Sequence, residues 1–205
     1  TLWYGLFNWF WFWMWREQPL RESLSLLYRE LADYCEAKYS MLTQHADPEK
    51  ALPPLLVRQQ KAVDLITQCY QQMHMLSAHR NNDYKRLLRA FQEALDLQEH
   101  ISVSLHQPEE VQKLVERSHA EQVIRWNART VAERLRVLAD DILYHRLPTR
   151  FSMEKQIGTL EKIANQHPDN PVGQFCYWHF SRIARVLRTQ RPLYARDLMA
   201  DKQRR

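Results

Sequence analysis

The stretch LRESLSLLYRELADYCEAKYSML, residues 20 to 42, places apolar side chains at alternating spacings of four and three: Leu20, Leu24, Leu27, Leu31, Tyr34 and, past an interrupting Lys38, Met41. That spacing lines one face of an α-helix and makes a heptad-like seam for antiparallel packing against other helices. The rest of the chain repeats the pattern. Leu56, Val63, Ile66, Tyr70, Met73 and Leu76 form a second stripe, and Tyr84, Leu88, Phe91, Leu95, Ile101 and Leu105 a third. Val111 to about Tyr144 runs without Gly or Pro and predicts the longest helix, with a break near Ser118.

Punctuation between the stripes agrees with helices joined by short links. Asp47-Pro48-Glu49 offers an N-cap, a first-turn proline and a first-turn carboxylate, with Pro53 and Pro54 delaying the true start. Arg80 to Asp83 is a polar connection, and Gln107-Pro108 resets the chain. Pro148 ends the long helix, Ser152 caps a shorter one through Asn165, and Asn170-Pro171 opens another to about Thr189. Only three glycines occur in 205 residues, too few for the positive-φ turns that hairpin-rich folds need. The expected fold is an all-α, multi-helix antiparallel bundle of long helices.

Before the bundle lies TLWYGLFNWFWFWMW, residues 1 to 15, with no charge and nine aromatic residues, five of them tryptophan. At helical rise it spans about 22 Å, short of the roughly 30 Å hydrocarbon core. It therefore reads as the C-terminal part of a transmembrane helix. It has neither the basic leader nor the small-residue cleavage site of a signal peptide. Indole and phenol rings concentrate where lipid meets water, so Trp9, Trp11, Trp13, Trp15 and Arg16 are the expected membrane-interface residues. Arg16 and Arg21, just beyond, favour a cytoplasmic exit. The division is 1–15 membrane helix and 16–205 cytoplasmic helical domain.

The net charge of +5 raises nucleic acid or an anionic surface as partners. Acids and bases nevertheless alternate along the helices, as in Arg129, Glu133, Arg134, Arg136, Asp140 and Asp141, the pattern of a solvated face; no nucleic-acid partner is expected. Cys35, Cys69 and Cys176 are scattered, without a CxxC pair, and fit a reducing compartment.

No catalytic, cofactor or metal motif emerges. The nine histidines include no HExxH or HxxxH pair; His74 and His79 splay around a helix, and Glu116 with His119 is a single Glu-x-x-His where a di-iron bundle requires two. Cys176 and His179 share a helical face that reads as core. So few glycines cannot build a phosphate-cradling loop. Adjacent Asp140 and Asp141 point apart, and Trp126 and Trp178 read as packing anchors. The chain is not expected to be an enzyme.

The order of aromatic span, basic exit, WREQPLRESLSLLYRELADYCEAKYSML and a multi-helix domain ending RPLYARDLMADKQRR resembles the FUSC-like (fusaric-acid-resistance-like) bacterial inner-membrane proteins of the YccS and YhfK type, with the likeness nearest YccS. It covers essentially the whole chain. The resemblance implies a multi-pass inner-membrane protein with two membrane blocks, each followed by a cytoplasmic helical region, in a family associated with efflux of organic acids. Its implied partners are the lipid bilayer, the remaining membrane blocks of the same polypeptide and a second copy in a homo-oligomer. The implied role of residues 16–205 is structural, oligomerising or regulatory. A soluble helical interaction module binding protein or nucleic acid is the alternative.

Overall fold

A computed structural model describes residues 3, 5, 16–43, 48–76, 81–102, 115, 120–166, 168–169 and 171–202 of the chain, with the side chains of 48 and 189–202 set aside. Six long helices account for nearly all of these, with no strand among the described residues. They are α1 (Gln18–Thr43), α2 (Pro48–Leu76), α3 (Asn82–Ser102), α4 (Glu121–Leu143), α5 (Glu154–Gln166) and α6 (Pro171–Lys202). The expected all-α bundle is what is found.

α1 is the hub. Leu20, Leu24, Leu27, Tyr28, Leu31 and Cys35 are all wholly buried, because neighbours cover it on several sides instead of along one stripe. α2 runs antiparallel to it: Arg58 and Lys61 of α2 meet Glu30 of α1. α4 is also antiparallel, with Arg29 meeting Asp140 and Arg136 meeting Asp33 and Glu36. α3 runs parallel to α1. The Tyr28 hydroxyl donates to the Ala90 carbonyl at 2.9 Å, and Lys38, nearly three turns on, donates to Ile101.

α5 and α6 pair antiparallel: Gln174 donates to the Ala164 carbonyl at 3.1 Å and Tyr177 approaches Glu161. α6 then crosses the core where Phe180 packs on Tyr39, ring centroids 4.8 Å apart. Asn81 caps α3 by accepting the Tyr84 N–H at 2.7 Å, and Ser152 accepts the Glu154 N–H of α5 at 3.3 Å. Side-chain caps of this kind satisfy N–H groups that have no intrahelical partner.

Several expectations change. Pro53 and Pro54 do not delay α2; they lie inside it. Both are exposed, so water can reach the Glu49 and Lys50 carbonyls that lose their usual donors. The second apolar stripe splits: the buried face of α2 is Leu55, Ala62, Leu65, Cys69, Met73 and Leu76, while Leu56, Val63 and Tyr70 are exposed. On α3, Leu87, Ala94 and Leu97 are the buried positions, Leu88 packs against them half-buried, and Leu95 is exposed. α4 begins at Glu121, and α6, not α4, is the longest described helix, continuing to Lys202 well past Thr189. Trp126 and Trp178 are 41% and 53% exposed and are not core anchors.

Candidate functional site at the Arg16 end of the bundle

Of the expected interface residues, Trp9, Trp11, Trp13 and Trp15 lie outside the described residues. Arg16 is half-buried in the turn that leads into α1. Around this turn three separate chain segments are tied together. The Glu17 carboxylate accepts from the Asn81 amide at 2.6 Å and from Arg21 at 3.3 Å. Arg21, only 6% exposed, also faces Asp83 at 3.7 Å, and Asp83 pairs with Arg86 at 3.3 Å.

The loop after α4 closes the site. His145 adopts φ 54°, in the left-handed region, and the Arg146 N–H donates to the Asp141 carbonyl at 2.8 Å. A bond from this position to that carbonyl, with one left-handed residue between, is the usual way a helix C-terminus is closed, with glycine the common occupant. Arg21, Arg86, Asp141, His145 and Arg146 line a small cavity of about 30 Å³. Burial lowers the Arg21 pKa against the opposing pull of Asp83 and Glu17. Burial, then Arg21, lowers that of His145. Burial raises that of Asp141, with Arg134 opposing.

Three guanidinium groups and three carboxylates thus converge where the chain enters the bundle. Among the described residues no nucleophile is paired with a base here, and the charges offset one another. What the arrangement does physically is tie the start of α1 to the start of α3 and to the α4–α5 loop.

The opposite half of the bundle holds a different polar group. Lys38, on the apolar stripe where it looked like an interruption, is 6% exposed and is held at around pKa 8 by burial. Close by are Cys35 and Cys176, whose thiols burial pushes up to about 12. His179 is pushed down to about 3 by burial, then by Lys38 and His100. It stacks on Phe175, and its Nε2 and the Tyr39 hydroxyl both lack a hydrogen-bond partner among the described residues. Cys176 and His179 are therefore core residues, and no group of three or more metal-ligating side chains forms among the described residues.

A third feature is an open groove of about 290 Å³ between α5 and α6, with Glu154 and Glu161 on one wall and Arg185 and Arg188 on the other. Among the described residues no helix is long and apolar enough to cross a membrane.

Sequence reasoning found Arg21, and Arg16 in the adjoining turn, but missed the other members of the cluster. Their only sequence signal was position beside helix ends. Comparison with known proteins supplies what the geometry does not. The model of the FUSC-like inner membrane protein yccS matches residues 1–198.

The chain belongs to the FUSC-like inner-membrane family.

Within it, the chain is 93% identical over 205 residues to the "Uncharacterized protein YhfK" of Escherichia coli (strain K12). That match covers all of this chain and 29% of the relative, so the chain spans under a third of that FUSC-like protein. No solved structure matches. Family membership associates the chain with the lipid bilayer, as its opening residues predict.

Proposed function

We propose that residues 16–205 are the cytoplasmic helical domain of a multi-pass, transporter-like inner-membrane protein, joined to its membrane part through residues 1–15 and serving a structural and oligomerising role. The reading is carried by where the chain enters and where α6 ends. Tyr39 and Phe180 are in contact, and Phe151, which stacks beneath Arg134 of α4, shares a groove wall with Ala184 to Arg188 of α6. α6 therefore runs antiparallel to α1.

From Tyr39 back to Gln18 is about 32 Å of helix, and from Phe180 on to Lys202 about 33 Å. A straight α6 would bring Lys202 back towards the level of Arg16. A helical domain whose long helices run to and from its entry suits attachment to one side of a bilayer. The Glu17–Arg21–Asp83–Arg86 cluster sits at that end and would hold the domain at a fixed angle to the membrane.

The test uses the full-length parent protein with a topology reporter inserted after Arg205. A membrane-bound protein with the reporter on the cytoplasmic side is the expected result. An outward-facing reporter would reject the orientation. A soluble parent protein would reject the membrane role and leave a helical interaction module.

A further inference from the structure

α2 has two apolar faces, and the bundle uses one. Leu55, Ala62, Leu65, Cys69 and Met73 turn inward. Beside them Leu52, Leu56, Val63 and Tyr70 remain 42%, 53%, 39% and 63% exposed. Leu56, Val63 and Tyr70 are spaced by seven, and Leu52, Gln59 and Ile66 form the companion row by seven. These are the a and d rows of a coiled-coil seam.

The flank is also poor in charge. At 100° per residue, Glu49, Leu52, Pro53, Leu56, Gln59, Gln60, Val63, Thr67, Tyr70, Gln71 and His74 share one side of α2, and Glu49, in its first turn, is the one Lys, Arg, Asp or Glu among them. Arg58 and Lys61 lie on the other flank, paired with Glu30, and Lys50 and Asp64 lie between the two. In a chain with 26% charged residues, eleven positions would carry about three charges. Charge depletion with an aromatic present marks the core of a protein interface. The exposed apolar area is on the order of 300–400 Å², within the range of the largest patch on a soluble monomer, which is often functional.

We infer that this face of α2 is the seam of a parallel homodimer, with Leu56, Val63 and Tyr70 of one copy against the same residues of the other. The inference rests on the membrane reading above for its geometry. Two copies in one bilayer are related by an axis along the membrane normal, and in that reading α2, antiparallel to α1, would lie along the same direction. Helices related by an axis parallel to themselves pair parallel and in register, which is the pairing a heptad seam provides. A lipid surface is a poor occupant, because the seam extends about 33 Å away from the Arg16 end and offers no basic residue to headgroups.

The test is cysteine cross-linking of the full-length parent protein in its native membrane. The three cysteines of this chain are buried, and any cysteine of the parent outside this chain is first replaced by serine. Leu56→Cys and Val63→Cys are expected to give same-residue disulfide dimers at least tenfold above Val57→Cys and Gln68→Cys on the far flank. Val63→Glu should weaken association at least tenfold while leaving helicity unchanged.

Equal cross-linking at all four positions, no cross-linking at any, or a product of mass other than two copies would overturn the seam. A product from Val63→Cys without one from Leu56→Cys would overturn the parallel register, since an antiparallel pair centred on Val63 sets Leu56 against Tyr70. Fractionation of the same cells separates the two readings. A soluble protein that still cross-links at 56 and 63 keeps the dimer and rejects the membrane anchor.

Discussion

Lys38 and His179 meet in the core between α1, α3 and α6, and both are bases that burial disfavours in their charged form. His179 falls from 6.5 to about 3, so between those values the unfolded chain binds a proton that the folded chain does not. Stability then falls as pH drops from 6.5 towards 3, on the order of 3–5 kcal/mol in all. Lys38 falls from 10.5 to about 8. Its burial is a cost at neutral pH, relieved as pH rises from 8 to 10.5, by about 3 kcal/mol. Urea unfolding across pH should show both slopes. His179→Phe should flatten the acid slope and Lys38→Met the alkaline one; slopes unchanged in these variants would show that other groups carry them.

His145 carries strain of another kind. An L-residue in the left-handed region costs roughly 1–2 kcal/mol, so His145→Gly is expected to raise stability by about 1 kcal/mol. A loss instead would show that the imidazole's contacts with the Arg21–Arg86 cavity outweigh the backbone cost. None of these roles was legible in the sequence. Lys38 looked like a break in a stripe, because periodicity reports which face a residue is on and not whether a second helix covers it. His145 gave no signal because its backbone angle is set by how α4 stops.

Among the elements, α1 is held to α2 and α4 by an acidic ridge, and exposure decides which pairs matter. Glu30 is 4% exposed in its side chain and lies between Arg58 and Lys61. Arg29 and Asp140 are 48% and 44% exposed. Glu30→Ala should cost about 1–2 kcal/mol, because it removes the buried carboxylate that accepts from both Arg58 and Lys61 of α2. Arg29→Ala should cost no more than about 0.5 kcal/mol, since exposed pairs are screened by water and salt. Equal losses in a denaturant titration would contradict that ordering.

The helices themselves were largely legible, from the stripe of α1 to the Ser152 cap and the Pro171 start. The choice of inward face on α2 was not, because Leu52, Leu56, Val63 and Tyr70 and the row Leu55, Ala62, Leu65 and Cys69 are each plausible seams. Only the pairing of Arg58 and Lys61 with Glu30 of α1 selects one. The interleaved charges of α4 were likewise read as a solvated face. Arg129 and Glu133 behave so, whereas Arg134 turns inward to donate to Thr149, and Arg136 reaches across to α1.

At the scale of the whole molecule, the course of α6 decides how the domain is attached to what precedes and follows it. Its 32 residues amount to about 48 Å of helix, enough either to return to the Arg16 end or to project far from the bundle. The contacts of Phe180 with Tyr39 and of Gln174 with Ala164 fix its direction. Interhelical spacings of 8–10 Å then put Lys202 within about 30 Å of Glu22 and about 35–45 Å from Ser40 when label length is included. Pulsed dipolar spectroscopy on doubly labelled Glu22→Cys/Lys202→Cys and Ser40→Cys/Lys202→Cys proteins measures both, and the buried native cysteines should stay unlabelled, their thiols held near 12. The short distance should belong to Glu22. If Ser40 were the nearer, α6 would run towards the far end of the bundle, and its antiparallel course relative to α1 would be rejected.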